Sequence, residues 1–248
     1  MRVVLFQIGS YKVYSYAVTL FIAFIVGAII MRIELKKRGV QPYSVYFIAV
    51  VAALSGLIGG RLFFLIGYWI GHWEWGNIFN FNTAGMVFYG GLLVGLPVTW
   101  LVVKWMKIPT GAVADAIGLA LPLCIAIARL GCFLNGCCYG KPSGLPWAVT
   151  FPGTSVSVHP TQIYELILDL MAFAFLLWVR KYPRRDWDLF LMSIASYAVI
   201  RFFTEFFRAH TESGAGLFFQ LLSVAIFIVA AWLLIYRRRK SRQAPVSP

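Results

Sequence analysis

Charge is what this chain has least of. Only 12% of its 248 residues are Asp, Glu, Lys or Arg, 60% are hydrophobic, and the mean hydropathy is +0.79. A soluble domain is roughly half apolar and a quarter charged, so a water-soluble globular fold is excluded. Acidic residues are scarcest, nine against 22 basic ones. Period-2 alternation is missing too, which excludes a membrane barrel. No linker long enough to set off a second domain appears, and no heptad or solenoid repeat is visible. The first apolar stretch is too long for a signal peptide and lacks a small-residue cleavage site, so it reads as a retained span. The four cysteines contain no C-x-x-C.

Apolar runs of about 20 residues, enough to cross a hydrocarbon core of about 30 Å, stand at 13–31, 45–66, 85–103, 111–133, 161–179, 189–207 and 216–236. The expectation is an all-α integral membrane protein of seven transmembrane helices, with residues 1–248 forming one polytopic domain. Basic residues near helix ends stay on the cytoplasmic side. One side collects fifteen: Arg32, Lys36, Lys37, Arg38, Lys104, Lys107, Arg180, Lys181, Arg184, Arg185, Arg237, Arg238, Arg239, Lys240 and Arg242. The other has Arg2, Lys12, Lys141 and Arg208. This places the N-terminus outside, the C-terminus inside and a segment at 134–160 outside. It leaves a basic cytoplasmic tail at 237–248, able to touch anionic membrane lipid. The net charge of +13 is thereby explained by topology and calls for no nucleic acid.

Three arginines remain inside apolar spans: Arg61, Arg129 and Arg201. Each costs about 2.5 to 3.5 kcal/mol at a helix centre and so faces a protein interior, as a rule for a purpose. In "RFFTEFFR", Arg201, Glu205 and Arg208 recur at helical spacing and line one stripe. In "HPTQIYELILD", Pro160 suits a first helical turn, Gln162, Glu165 and Asp169 share a face, and His159 stands just outside. Glycines in "SGLIGGR" and "YGGLLVG" suit close helix packing. Arginines opposite carboxylates, a histidine and an amide suit an anionic headgroup, because guanidinium matches phosphate with a planar fork. The substrate class this points to is a phospholipid, although a transporter or channel also places arginines in its interior.

The segment "ARLGCFLNGCCYGKP" ends the fourth span in an arginine, an asparagine, three cysteines and three glycines. It resembles the signature of the bacterial prolipoprotein diacylglyceryl transferases, Gly-Arg-x-Gly-Asn-Phe-x-Asn-x-Glu-x-x-Gly. The "GGR" of the second span, "YGGL", "HPTQIYE" and "RFFTEFFR" occur in the family's order, so the resemblance covers nearly the whole chain. It implies an enzyme of the bacterial cytoplasmic (inner) membrane. Such an enzyme moves the diacylglyceryl group of phosphatidylglycerol to the lipobox cysteine of a prelipoprotein signal peptide, releasing glycerol phosphate without metal or redox cofactor.

Carried onto this chain, the resemblance makes Arg129 the lipid-binding arginine of the signature and Arg201 a second essential arginine. Asn135 and Gly140 keep its later asparagine and last glycine. Tyr16, His159, Glu165, Glu205 and Arg208 fall on other family motifs, and Arg61 joins the lipid-facing set. Arg129 is expected on the lipid phosphate and Asn135 on the glycerol hydroxyls, with Gly136 and Gly140 letting the chain turn over the ligand. The chain departs from the family at Tyr89, where a histidine proposed as the thiol's base is usual, and at Cys132 and Cys137, which replace an asparagine and a glutamate. A phenol, with an unperturbed pKa of about 10, is a poor base at neutral pH, so Tyr89, Glu165 and His159 all stand as catalytic candidates.

The cysteines open two other readings. Cys132, Cys137 and Cys138, with Cys124 behind them, suit a disulfide or the redox couple of a membrane thiol-disulfide oxidoreductase. A metal site with His159 is disfavoured, because adjacent cysteines rarely suit one tetrahedral ion. The arginines alone suit a phospholipid transporter as well.

Overall fold

The computed structural model describes residues 3–8, 11–72, 88–182, 185–209 and 215–242. Seven helices appear among them: α1 (Ser15–Lys36), α2 (Pro42–His72), α3 (Phe88–Trp105), α4 (Thr110–Asn135), α5 (Thr161–Val179), α6 (Asp188–Glu205) and α7 (Ala215–Arg242). Five are long and apolar enough to cross a membrane, and α3 supplies a shorter apolar stretch, Gly90–Trp105. The all-α membrane expectation is met. α6 is an 18-residue helix carrying Asp188, Arg201 and Glu205, and all three charges are bonded to the protein.

Two ends differ from the sequence reading. Residues 13 and 14, expected in the first span, belong to a hairpin of β1 (Val4–Ile8) and β2 (Tyr11–Tyr14), paired antiparallel from Val4↔Tyr14 to Ile8↔Tyr11. β-branched and aromatic residues in "VLFQI" and "YKVY" are the sequence signal for these short strands. The expected tail also begins later, because α7 runs on to Arg242. Arg185 Nη1 donates to the Arg237 carbonyl (2.6 Å), Arg237 Nη2 donates to the Asp186 carbonyl (3.1 Å), and Arg238 pairs with Asp188 at 3.6 Å. Residues 243–248 lie outside the described set.

The chain forms two compact units, Met1–Met31 with Ala114–Pro248, and Arg32–Val113. In the second, α2 packs on α3 through small residues. A β-carbon on Gly59 would stand 2.5 Å from the Gly90 carbonyl oxygen, and one on Gly91 would stand 3.0 Å from that of Gly56. Close packing therefore accounts for these glycines. Arg61 lies in this unit, its guanidinium 5.3 Å from the Phe64 ring centre.

The first unit has its core where α4, α5 and α6 meet, at Leu119, Leu176 and Leu189, all fully buried, with Ile30 of α1 and Phe173 of α5 packed against them. α6 starts without a cap of its own, since Trp187 at the N-cap takes φ 76° and makes no side-chain capping bond. Asp115 of α4 supplies it, its Oδ1 accepting the Phe190 N–H at 3.2 Å, which satisfies a donor the helix leaves open. Between α4 and α5, residues 136–160 fold into a cap tied by the bridges Pro142↔Val158 and Val149↔Val158. Phe151 is buried there between Phe133 and Tyr139.

Candidate functional site

Helical spacing brings Gln162, Glu165 and Asp169 to one face of α5, and all three are 1% exposed. A bare carboxylate at that depth is costly, and here Glu165 is surrounded by cations. Arg129 of α4 places its Nε 2.5 Å from Glu165 Oε2. Arg208 Nη2 lies 3.0 Å from Oε1, and Arg201 Nη1 lies 3.7 Å from the same oxygen. Arg201 also reaches Glu205 Oε2 at 2.9 Å, one helical turn on, and lies over the Phe219 ring of α7 at 5.4 Å. Three guanidiniums are thus set against two glutamates, with Asp169 one helical turn on from Glu165 on the same face of α5. The three arginine side chains keep 15–16% of their surface exposed, so the cluster is partly desolvated yet open to a ligand.

Arg208 is placed by backbone pairing. α6 ends at Glu205, the chain turns through Phe206 and Phe207, and Arg208 bridges Gly140. Gly140 donates to the His159 carbonyl and Lys141 donates to the Phe207 carbonyl, each at 2.8 Å. A β-carbon on Gly140 would collide with the Phe207 carbonyl oxygen and come within 2.8 Å of Thr161 Cγ2. Glycine is thus required here where the chain packs on its own atoms, between Phe207 and Thr161. Gly136 does make the expected turn, at φ +71°.

Other expected residues are placed differently. His159 Nδ1 lies 3.1 Å from the Tyr164 hydroxyl, which accepts the Trp147 indole N–H at 2.9 Å. These three residues line a cavity of about 370 Å³ whose other walls are Leu145, Leu168, Phe203, Thr204 and Phe207. Asn135 ends α4, two residues before Cys137, whose sulfur donates to the Cys132 carbonyl at 3.7 Å. Hydrogen bonds from Cys132 and Cys138, then from Asn135, hold the Cys137 thiol well below its usual range. Tyr16 opens α1 and is 37% exposed; a β-carbon on Gly131 would stand 3.3 Å from its ring and collide with Thr19 Oγ1. Arg61 lies in the other unit. Tyr89 is a backbone position of α3 whose side chain is outside the described set.

Sequence reasoning missed Tyr164 and Trp147, which orient His159, and Tyr197, which lies in electrostatic reach of Arg129. Tyr197 precedes Arg201 by four residues, so its place on the stripe was available from spacing. Trp147 carries no such signal, since a loop residue reaches Tyr164 only once the loop has folded.

The model of the family described as prolipoprotein diacylglyceryl transferase matches residues 3–236. A Clostridium tetani protein named phosphatidylglycerol-prolipoprotein diacylglyceryl transferase is 27% identical over 98% of this chain and 100% of its own length. Proteins of the same name from Geobacter sulfurreducens and Dehalococcoides mccartyi are 31% and 32% identical, over 96% and 97% of this chain and 95% of their own lengths. With three arginines from α4, α6 and the turn after α6 gathered on one buried glutamate, and with that match along nearly its full length, the chain belongs to the prolipoprotein diacylglyceryl transferase family.

Proposed function

We propose that this protein transfers the diacylglyceryl group of phosphatidylglycerol to the lipobox cysteine of a prelipoprotein, and that the arginines around Glu165 bind the phosphate that leaves. The observation that carries the reading is the cluster itself. A phosphodiester brings negative charge to a site where three guanidiniums, those of Arg129, Arg201 and Arg208, outnumber the two glutamates paired with them. Guanidinium forks suit phosphate oxygens, and in a partly desolvated site their effect on developing charge is larger than in water.

The thiol of the lipobox cysteine loses its proton, and its sulfur attacks the glyceryl carbon that carries the phosphate. The carbon–sulfur bond forms as the carbon–oxygen bond breaks, and glycerol phosphate leaves with the bonding electrons. Thiolate is the reactive form, so a proton acceptor is needed. His159 is the acceptor in this reading, because its imidazole stands on the wall of the apolar cavity. Glu165, with guanidinium nitrogens on both oxygens, acts as the anchor that holds the arginines in place. Asn135 turns from the Cys137 sulfur to the glycerol hydroxyls when lipid enters.

The setting is the cytoplasmic membrane of a bacterium, with the cap at 136–160 outside. The names of the relatives favour this reading over a thiol-disulfide oxidoreductase or a lipid transporter. Purified protein incubated with labelled phosphatidylglycerol and a lipobox peptide should yield a peptide heavier by one diacylglyceryl group, bound through a thioether. Lipid moved between leaflets with no modified peptide would replace the transferase reading with the transporter.

A further inference from the structure

The end of α4 brings three sulfur atoms to one point. Gly136, at φ +71°, follows the last helical residue, and two backbone bonds close over it: Gly136 N–H to the Phe133 carbonyl at 3.2 Å and Cys137 N–H to the Cys132 carbonyl at 3.1 Å. That pair of bonds is a Schellman motif, whose geometry sets the residue after the glycine beside the residue four positions before it. The two positions are usually filled by apolar side chains in contact. Here both are cysteines, Cys137 and Cys132.

The next residue completes the group. Cys138 takes φ +64°, a left-handed conformation disfavoured for a residue with a β-carbon and characteristic of functional sites. The three sulfurs all lie within 4.8 Å of one another. Cys132 is buried, Cys137 half-buried and Cys138 exposed, and all are free thiols. The loop is pinned from outside: Gln162 Nε2 donates to the Cys137 carbonyl at 2.7 Å, and Thr161 Oγ1 donates to the Cys138 carbonyl at 2.8 Å. Both pinning residues are at most 1% exposed. Cys138 is thus the most exposed of the three sulfur-bearing residues, over a backbone fixed from outside.

We propose that Cys132, Cys137 and Cys138 form a three-sulfur site for a soft, thiophilic metal ion, copper(I) in the first instance. Thiolates select soft ions, and among the described residues no histidine, carboxylate or further cysteine joins the trio to complete a tetrahedral set. That composition suits a trigonal ion and disfavours zinc. A metal–sulfur bond of about 2.3 Å sets trigonal sulfurs about 4 Å apart, so sulfurs already within 4.8 Å close on the ion with small side-chain adjustments. On binding, the sulfurs give up to water the protons they still carry, and three thiolates around one copper(I) carry a net charge of −2. Arg129 lies in electrostatic reach of Cys132 and Cys138 and offsets part of it. The proposal stands on the thiol geometry and does not depend on the transferase reading.

The test uses the full chain in detergent, reduced and kept free of oxygen, titrated with copper(I) against a coloured copper(I) chelator. One copper per chain should be drawn from the chelator, Cys137→Ser and Cys138→Ser should each weaken binding at least tenfold, and Cys124→Ser should leave it unchanged. Circular dichroism and gel filtration establish that each variant is folded. X-ray absorption on the copper-loaded wild type provides a readout without substitutions, and a shell of three sulfurs is expected. The proposal is overturned by reduced protein that takes no copper, by binding indifferent to Cys137→Ser and Cys138→Ser, by nitrogen or oxygen ligands in the absorption spectrum, or by zinc(II) bound more tightly than copper(I).

Discussion

Glu165 Oε2 lies 2.5 Å from Arg129 Nε while its other oxygen takes Arg208 at 3.0 Å, so a single buried carboxylate joins α4 to the turn that follows α6. Removing that carboxylate leaves the three guanidiniums without the group that pairs with all of them. Breaking a buried ionic network by taking out one partner costs about 3 to 5 kcal/mol. Glu165→Ala is therefore expected to lower the unfolding midpoint of the detergent-solubilised protein sharply. Glu165→Gln, which keeps the shape, should fold and yet transfer at under a tenth of the wild-type rate. A Glu165→Gln protein with full activity would show that the arginines need no charged anchor.

Arg129 is expected to be irreplaceable by lysine. Loss of one preorganised donor to a developing anion costs about 2.7 to 4 kcal/mol, a factor of about 100 to 1,000 in turnover. An ammonium restores charge without the planar fork. Arg129→Ala should fall by that factor and Arg129→Lys should recover little of it, both read from transfer to a lipobox peptide. Retention of more than about a tenth of the rate in Arg129→Ala would remove the residue from the phosphate site.

Much of this site could be read from the chain because helical periodicity is a local property. The spacing of Gln162, Glu165 and Asp169 and that of Arg201 and Glu205 fix which side chains share a face before any tertiary contact forms. Which carboxylate meets which arginine is not local. Arg129 meets Glu165, while the fold uses Asp115, on the same helix as Arg129, to cap α6 through Phe190. Arg208 was expected to extend a helical stripe, whereas it reaches Glu165 from beyond the helix, held by its bridge to Gly140. The N-terminal hairpin went unread because its short strands run into an apolar helix, and the longer hydrophobic signal covers the weaker one. The convergence of the three cysteines depends on Gly136 following directly on the last residue of α4, a boundary that composition alone does not locate.

The orientation can be tested without a substrate. With basic loops retained in the cytoplasm, a reporter fused after Arg242 should be cytoplasmic, and one inserted near Ser143, in the folded cap, should be extracytoplasmic. Either reporter on the opposite side would reverse the map and with it the compartment of the proposed chemistry.

The last prediction separates the placing of an arginine from its chemistry. Gly140 has no room for a side chain, because a β-carbon there meets the Phe207 carbonyl, Thr161 and His159, and backbone at such a junction does not yield as a flexible side chain does. Gly140→Ala should therefore push apart the bridge Gly140↔Arg208 and loosen the bond from Lys141 N–H to Phe207. Arg208 would then lose its fixed distance from Glu165, although no charged residue has been changed. Overpacking of this kind costs about 1 to 3 kcal/mol, enough to disturb the cap while leaving the helices inserted. The expected result is a protein with wild-type helical content, faster proteolysis within residues 136–160, and transfer reduced at least tenfold, close to the effect of Arg208→Ala. If Gly140→Ala combined with Arg208→Ala is no worse than Arg208→Ala alone, the glycine acts through the arginine. Full activity in Gly140→Ala would mean that Arg208 is positioned by something other than this bridge.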